Sequence, residues 1–219
     1  MKRCLIVFAK EPEKEKVKTR LHKDCPKDFS FNLYKSFLKD TIDIAGRAGC
    51  ELRILAFRAA TGNPLFLKKA APSFLFYPQR GKDLGERMHN AFCFAKKLKS
   101  RATVIMGSDS PNLPQDIVRE AFEKLRTFDA VLGPSSDGGY YLVGLRYPCP
   151  QAFKGVEWSS RTVLETTIFK LRKLKKKTAL LREWYDVDEV ESLKRLWKDL
   201  SRKGPGGEAR FTKRFLIDK

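Results

Sequence analysis

Short apolar runs separated by amphipathic stretches constrain the fold of this chain most strongly. The strand candidates are residues 4–9, 51–57, 73–77, 103–107, 130–133 and 139–146. Hydrophobic residues recur at helical spacing in most of the gaps between them, and strands that alternate with helices indicate a parallel sheet covered on both faces. We therefore predict an α/β fold: a three-layer sandwich with a mostly parallel, mixed sheet of the Rossmann-like kind.

Length and composition predict a single domain. The chain has 219 residues, of which 42% are hydrophobic, enough for one sizeable core. We assign that domain to residues 1–202. Turn residues at 203–208, KGPGGE, precede a short basic segment. We expect residues 203–219 to form a mobile basic tail.

Apolar runs and cysteines limit the location of the protein. No run approaches the roughly 18 apolar residues that a bilayer-spanning helix needs, so we expect no membrane span and a cytoplasmic protein. The five cysteines form no CxxC pair, and the chain has only two histidines. We therefore expect neither a disulfide framework nor a zinc site.

The formal charge of +19, from 45 basic and 26 acidic residues, biases the surface toward polyanions such as nucleotides and nucleic acids. Much of the excess lies in residues 96–101 and 170–177, where apolar residues recur at helical spacing between the charges. Such segments are typical of solvated helix faces. Because no nucleic-acid-binding motif accompanies the charge, we do not expect a dedicated nucleic-acid-binding protein.

An acid follows one of the buried-strand patterns directly. Residues 104–114, VIMGSDSPNLP, place Asp109 at the carboxyl end of a strand, where ligands bind in open α/β sheets. A carboxylate there can hold a divalent cation that in turn holds a phosphate. The alternative is that Asp109 only caps the helix that begins near Pro114.

Two further segments are suited to bind a phosphate. Residues 10–21, KEPEKEKVKTRL, follow the first strand with a cluster of cations, although a solvated charge run is an equal alternative. Residues 81–88, GKDLGERM, begin a helix whose N-terminus attracts anions, and Gly85 would let a ligand approach the backbone. This second signal is weak alone.

Two acidic segments complete the candidate site. Residues 134–141, PSSDGGYY, join two apolar strands, and a simple hairpin turn explains them better than a site does. In residues 185–189, YDVDE, Asp186 and Asp188 lie on one face if the segment is extended, and they could complete a metal site begun by Asp109. The alternative is that Asp188 caps a helix, with Glu191 at its third position.

These segments together resemble a family of bacterial transferases with the nucleotide-diphospho-sugar transferase, or glycosyltransferase A (GT-A), fold. The family is associated with radical-SAM and selenium-related gene neighbourhoods, and some members are labelled arsenosugar biosynthesis glycosyltransferases. The matching pieces occur in the family's order over residues 3–197: FAKEPEKEKVKTRL, DLGERM, MGSDSPNLP, LGPSSDGGYYLVGL, VEWSSRTVLETT and YDVDEVESL. A more distant likeness extends to phospholactate and molybdenum-cofactor guanylyltransferases.

The resemblance implies roles for individual residues. Lys18 and Arg20 would contact the diphosphate and act as catalytic cations. The metal, Mg²⁺ or Mn²⁺, would be held by Asp109 with Asp188, or less favourably Asp186. The implied nucleotide-binding residues are Ala9, Lys10, Lys18, Thr19, Arg20, Gly85 and Arg87. The implied acceptor side comprises Asp137, Gly138, Gly139, Trp158 and Ser159, and Asp137 would be the base if the reaction inverts the anomeric centre.

We therefore predict a transferase that is metal-dependent and nucleotide-binding, with glycosyltransferase activity from a nucleotide sugar to a small-molecule acceptor. One alternative is a nucleotidyltransferase that uses a nucleoside triphosphate and a phosphorylated acceptor and releases pyrophosphate. Another is a non-catalytic binder of nucleotides or nucleic acids. The sequence does not specify the sugar, base, acceptor or oligomeric state.

One residue departs from the family. Glu15 stands where the first loop usually has glycine. A carboxylate near a diphosphate repels it, and a positive φ is unfavourable for a residue with a side chain. We expect weaker phosphate binding unless Lys14 or Lys16 screens Glu15.

Overall fold

The computed structural model of the protein describes residues 2–202 and 209–218, and within them seven strands and seven α-helices. The strands are β1 (Arg3–Lys10), β2 (Leu52–Arg58), β3 (Leu75–Pro78), β4 (Ala102–Met106), β5 (Ala130–Pro134), β6 (Tyr140–Leu145) and β7 (Thr178–Leu180). The helices are α1 (Lys27–Gly46), α2 (Leu65–Ala70), α3 (Leu84–Lys97), α4 (Gln115–Lys124), α5 (Val163–Lys173), α6 (Val190–Ser201) and α7 (Arg210–Ile217). None of these described helices is long and apolar enough to cross a membrane.

All seven strands belong to one sheet, in the order β3-β2-β1-β4-β6-β5-β7. Strand β6 runs antiparallel to both of its neighbours, and every other pair is parallel. The prediction of a mostly parallel, mixed sheet is confirmed. The six strand candidates match β1 to β6, whereas the three-residue β7 was not predicted.

Helices cover both faces of the sheet because the strands are apolar on both sides. Along β1, Leu5 and Val7 face a core shared with α1, α2 and α4. Cys4 and Ile6 face a second core shared with α3 and α5. This alternation has the two-residue period of a strand. The three-layer sandwich predicted from the sequence is therefore confirmed.

A third, smaller core lies on the outer side of α1. Leu33 and Phe37 of that helix are fully buried there against Leu196 and Leu200 of α6. Tyr185, from the segment that precedes α6, joins the same core. This packing fixes the segment that leads into α6 beside the loop after β1.

The described part of the predicted tail is ordered as α7, which packs on α1. Asp40 of α1 accepts hydrogen bonds from the backbone N–H of Phe211 (3.0 Å) and of Thr212 (2.8 Å), and from the Thr212 hydroxyl (2.6 Å). Asp40 thus caps the N-terminus of a helix distant in sequence. The expectation of a mobile tail does not hold for residues 209–218, because this buried carboxylate and the contact between Phe29 and Phe215 hold them. Residues 203–208 lie outside the described residues.

Asp40 gives the fold a pH dependence that can be measured. Burial raises its pKa to about 6, although the hydrogen bonds from Thr212 and Phe211 act in the opposite direction. Because the folded-state pKa is raised, the stabilisation is complete below the ordinary pKa of aspartate and is lost as the pH rises through about 6. We expect the unfolding free energy of the wild type, relative to Asp40→Asn, to fall by about 3 kcal/mol between about pH 3 and pH 7.

Urea denaturation at a series of pH values measures this difference. Asp28→Asn is the matched control, because Asp28 lies on the same helix and makes only a surface ion pair with Lys14. A difference between wild type and Asp40→Asn that does not change with pH would contradict the assignment.

Candidate functional site

A cavity of about 440 Å³ opens at the carboxyl edge of the sheet. The ends of β1, β2 and β4 contribute to its wall, together with the loop after β1 and the segment before α6. Six cations and three carboxylates line it: Lys10, Lys16, Lys18, Arg20, Arg58, Arg87, Asp109, Asp186 and Asp188. The excess of positive charge favours an anionic ligand.

Lys18 joins two carboxylates that are far apart in the sequence. Its Nζ lies 2.5 Å from Asp109 Oδ1 and 2.9 Å from Asp188 Oδ1, and it donates a third hydrogen bond to the carbonyl oxygen of Val187 at 2.8 Å. The Lys18 side chain is only 2% exposed. Its backbone is left-handed, with φ 49°, which turns the chain into the 3-10 helix Thr19–Lys23.

The charges in this cluster stabilise one another. Burial disfavours the charged form of Lys18, but Asp109 and Asp188 outweigh it and raise the Lys18 pKa above its ordinary value. Burial also opposes the charge of Asp188, but Lys18, Arg20 and Lys10 lower the pKa of that carboxyl. Burial, reinforced by Asp109, raises the pKa of Asp186 well above its usual range. Asp109 and Asp188 are therefore the natural ion-pair partners of Lys18.

Backbone and side-chain hydrogen bonds join the two acidic segments. Val187 donates its backbone N–H to the carbonyl oxygen of Asp109 at 2.8 Å. The Ser110 hydroxyl donates to Asp186 Oδ1 at 2.6 Å, and Asn112 donates to the Tyr185 hydroxyl at 2.8 Å. These contacts bring residues 109–112 and 185–187 together.

Neither Asp109 nor Asp188 serves as a helix cap, so both alternatives considered above are wrong. Helix α4 begins at Gln115 with Pro114 as its N-cap. Helix α6 begins with Glu189 as its N-cap, and Ser192 accepts the backbone N–H of Asp188 and of Glu189, each at 3.1 Å. The two aspartate side chains are therefore available to Lys18 and to the cavity.

Tyr34 connects the ends of β1 and β4 at the base of the cavity. Its hydroxyl accepts the Lys10 backbone N–H at 3.0 Å and lies 3.3 Å from the Ser108 hydroxyl. Burial, helped by the nearby Asp109 charge, raises the Tyr34 pKa to about 12. Tyr34 stays protonated near neutral pH, so it fixes the two strand ends as a neutral group.

Most of the predicted nucleotide-binding residues meet at this cavity, and so do the predicted metal ligands. The residues from those two sets that line it are Ala9, Lys10, Lys18, Thr19, Arg20, Arg87, Asp109, Asp186 and Asp188. Gly85 is not among the lining residues. A Cβ on Gly85 would lie 2.7 Å from Trp158 and 2.9 Å from Phe153, so its missing side chain permits close helix packing rather than the approach of a ligand.

The predicted acceptor residues lie beside the cavity and do not line it. Asp137, Gly138 and Gly139 form the turn between β5 and β6, in which Asp137 is exposed and accepts the Gly139 backbone N–H at 2.9 Å. This geometry agrees with the simple hairpin turn predicted from the sequence as the alternative to a site. Trp158 meets the lining residue Tyr140 edge-on at 6.5 Å between ring centroids, and Ser159 is exposed beyond it. Their roles toward an acceptor stay predictions.

Glu15 is neutralised, but by a different residue from those expected. Lys27, at the start of α1, lies 2.6 Å from the Glu15 carboxylate, and its hydrogen bond lowers the Glu15 pKa. Lys14 instead pairs with Asp28, and Lys16 pairs with Glu13. Glu15 does not have a positive φ and is not among the residues that line the cavity. Its charge is therefore held away from the cations that line the cavity.

Sequence reasoning missed two residues of the cavity that a simple rule would have found. Arg58 ends β2 directly beside Lys10 of β1, and Gln79 follows β3. Both lie at the carboxyl ends of parallel strands, where ligands of α/β sheets bind. Gln79 donates to the carbonyl oxygen of Ala56 at 2.8 Å, so it is held against the edge of β2.

The cluster around Lys18 has the donor chemistry that a divalent cation requires. Asp109 and Asp188 are each 42% exposed, and the described residues provide no hydrogen-bond donor to the second oxygen of either. The two carboxylates already stabilise a positive charge, that of Lys18. Within the described residues, no three His, Cys, Asp or Glu side chains form a metal site by themselves. A cation here would need further ligands from a phosphate.

Distant solved structures share the fold. The structure of CMP:2-keto-3-deoxy-manno-octonic acid synthetase complexed with CTP is 11% identical and has a TM-score of 0.57, covering 90% of this chain and 97% of that one. Rv0371c from Mycobacterium tuberculosis H37Rv in complex with manganese is 18% identical and has a TM-score of 0.52, covering 90% and 99%. No curated protein matches the sequence.

A nearer structural relative and a family profile agree on the classification. The relative, from Desulfovibrio desulfuricans G20, is described as a "putative nucleotide-diphospho-sugar transferase". It is 32% identical and has a TM-score of 0.92, covering 99% of this chain and 94% of that one, which confirms the predicted fold. The profile of the family described as "Uncharacterized protein conserved in bacteria (DUF2064)" matches residues 41–160, so the chain belongs to that bacterial family.

Proposed function

We propose that the protein transfers a sugar from a nucleoside-diphosphate sugar to a small acceptor, in a reaction that depends on a divalent cation. The observation that carries the proposal is the position of Lys18 between Asp109 and Asp188, at 2.5 and 2.9 Å. This cluster lies in a cavity whose other cations suit a diphosphate. The cluster would thus bring a divalent cation and the diphosphate together in one cavity.

The cationic side chains of the cavity would stabilise the leaving group. When the bond between sugar and diphosphate breaks, negative charge develops on the diphosphate oxygens. Arg20 offers a planar guanidinium fork, whereas Lys10 and Lys18 offer compact charges. Lys18 is held in place by its three hydrogen bonds before the reaction starts, so its charge would act without reorganising, whereas the exposed Arg20 and Lys10 would close on the diphosphate when it binds.

Asp109 and Asp188 would hold Mg²⁺ or Mn²⁺, with Asp186 behind them. When bound, such an ion supplies positive charge next to the diphosphate. Asp186 is the weakest of the three candidates, because it accepts the Ser110 hydroxyl at 2.6 Å and its pKa is raised by burial. Its contribution would be to position the segment that carries Asp188.

Asp137 is our candidate for the base that would deprotonate the acceptor hydroxyl. It lies in the turn before Tyr140 and Tyr141, both of which line the cavity. The acceptor would then enter over β6, beside Trp158.

The second candidate function is nucleotidyl transfer from a nucleoside triphosphate. Arg58 and Arg87 favour it, because they line the cavity beyond Lys18 and Arg20 and no carboxylate of the described residues forms an ion pair with either. The nearby Arg58 charge, after burial, lowers the pKa of Arg87. An additional phosphate would relieve that repulsion.

Thermal unfolding with a panel of nucleotides tests the proposal. We expect a nucleoside diphosphate or sugar nucleotide with Mn²⁺ to raise the midpoint by roughly 5–10 °C at about 100 times its dissociation constant. The expected product of turnover is a nucleoside diphosphate. Preference for a triphosphate, with release of pyrophosphate, would favour the second candidate.

Each ligand is compared with the same ligand in a chelator and with the metal alone. A shift that is identical with and without metal would contradict the metal dependence. No shift with any nucleotide would contradict both candidate functions.

A further inference from the structure

The C-terminal end of α5 and the turn that follows it carry a cluster of positive charge that contains no acidic residue. Six of the eight residues from 170 to 177 are cationic: Lys170, Arg172, Lys173, Lys175, Lys176 and Lys177. No acidic residue occurs between Glu165 and Glu183, and residues 172–177 are all exposed. We call these six cations the α5 basic face.

The side-chain charges of the α5 basic face lack ion-pair partners, although the Asp129 carboxylate accepts the Lys177 backbone N–H at 3.0 Å and lies in the same hollow as Lys176. Within residues 2–202 and 209–218, none of the six is within ion-pair distance of a carboxylate. The first loop behaves differently, since Lys14 pairs with Asp28 at 2.6 Å and Lys16 pairs with Glu13 at 2.7 Å. The α5 basic face is therefore a source of net positive potential and not a network of paired charges.

Exposed apolar side chains lie among these cations. Phe169 is 56% exposed, with Lys173 Nζ 4.6 Å from its ring centroid. Tyr147 is 58% exposed, with Lys96 Nζ 4.4 Å from its ring centroid, and it lines a shallow hollow together with Lys176. Aromatic rings with lysines beside them are typical of surfaces that meet the boundary between lipid and water.

The α5 basic face points away from the cavity. Helix α5 begins beside the turn between β5 and β6, where Leu164 donates its backbone N–H to Gly138. It ends at the opposite edge of the sheet, where the Lys177 carbonyl oxygen accepts from the start of β5. Eleven helical residues span about 16 Å, so a partner on this face would leave the cavity open.

We propose that the α5 basic face binds the surface of a bilayer that contains anionic phospholipids. Five of its six cations are lysines, which act as point charges toward headgroup phosphates and lack the planar fork that reads nucleic acids. Phe169, Tyr147 and the half-exposed Leu174 would enter the headgroup region. The protein would then act at a membrane surface with its cavity turned toward the solvent.

Vesicle sedimentation with the full chain tests the proposal. We expect binding to vesicles of phosphatidylcholine with phosphatidylglycerol, and not to phosphatidylcholine alone. Replacing four lysines of the face by glutamate should weaken binding by at least about tenfold. The changes are Lys173→Glu, Lys175→Glu, Lys176→Glu and Lys177→Glu.

A control with the same change of net charge separates the face from the total charge. It carries Lys68→Glu, Lys69→Glu, Lys194→Glu and Lys198→Glu, on α2 and α6. Equal loss in both variants, or no binding of the wild type to anionic vesicles, would overturn the proposal. So would vesicle binding that survives the four changes on the face. Both variants are first checked for an unchanged far-ultraviolet circular dichroism spectrum.

Two further measurements test the chemistry of the partner. Phe169→Ser should weaken vesicle binding at high salt, where the electrostatic part is screened. Single-stranded RNA is the competing polyanion. RNA binding that depends on the α5 basic face, without vesicle binding, would overturn the lipid assignment and favour a nucleic-acid surface.

Discussion

Asp109→Asn is expected to slow the proposed transfer by roughly 10²–10³-fold, the usual cost of removing one group that stabilises developing charge. The Asp109 side chain is 42% exposed, lines the cavity and lies in the loop after the central strand β4. Asparagine keeps the shape but removes the negative charge that would hold a divalent cation. The thermal shift produced by nucleotide with Mn²⁺ should disappear in the same variant.

The matched control is Asp116→Asn. Asp116 is also an exposed aspartate, but it pairs with Arg182 at 2.8 Å outside the cavity. Steady-state rates and thermal shifts are measured on both variants. If Asp109→Asn keeps the metal-dependent shift and the wild-type rate, the assignment of Asp109 as a metal ligand is wrong.

The central strands could be predicted because burial on both faces leaves a clear signal. Leu5 and Val7 contact one helix layer, while Cys4 and Ile6 contact the other, so β1 reads as a continuous apolar run. Strand β7 has three residues, of which only Ala179 is buried. A single buried position has no periodicity, so β7 could not be identified from pattern.

Helix α7 could not be predicted because its stability depends on a residue 171 or 172 positions away. Asp40 accepts the backbone N–H groups of Phe211 and Thr212 at the start of this helix. The local sequence is basic and follows turn residues, which favours the interpretation as a tail. Only tertiary packing supplies the missing cap.

The acids of the candidate site could be predicted, but the position of Lys18 could not. Ligands of α/β sheets bind at the carboxyl ends of the strands, and this alone identifies Asp109 from the segment that follows β4. The meeting of Lys18 with Asp188 requires a left-handed backbone at Lys18 and the pairing of Val187 with Asp109. A non-glycine residue with positive φ has no reliable sequence signal.

Lys18→Met is expected to destabilise the fold by about 2–3 kcal/mol, because it removes the buried cation of two ion pairs, while the carboxylates left behind are 42% exposed and partly compensated by solvent. The Lys18 side chain is 2% exposed, and methionine cannot donate to Asp109, Asp188 or the Val187 carbonyl oxygen. Urea denaturation measures the loss. Lys16→Met should cost less than about 1 kcal/mol, because Lys16 makes only a surface pair with Glu13.

The same variant separates a structural lysine from one that shares its position with a metal. If the carboxylates of Asp109 and Asp188 need any positive charge, Mg²⁺ or Mn²⁺ should restore stability to Lys18→Met more than to the wild type, since binding to the native state stabilises it by mass action. Acid should also reduce the loss of unfolding free energy, because protonation removes the repulsion between the carboxylates.

A loss of unfolding free energy no larger than that of Lys16→Met would show that the ion pairs of Lys18 do not stabilise the loop after β1. A large loss of unfolding free energy that neither metal nor acid reduces would contradict this role of the ion pairs. The stability would then come from the hydrogen bond to the Val187 carbonyl oxygen and from the contact with Phe37, whose ring centroid lies 5.2 Å from Lys18 Nζ.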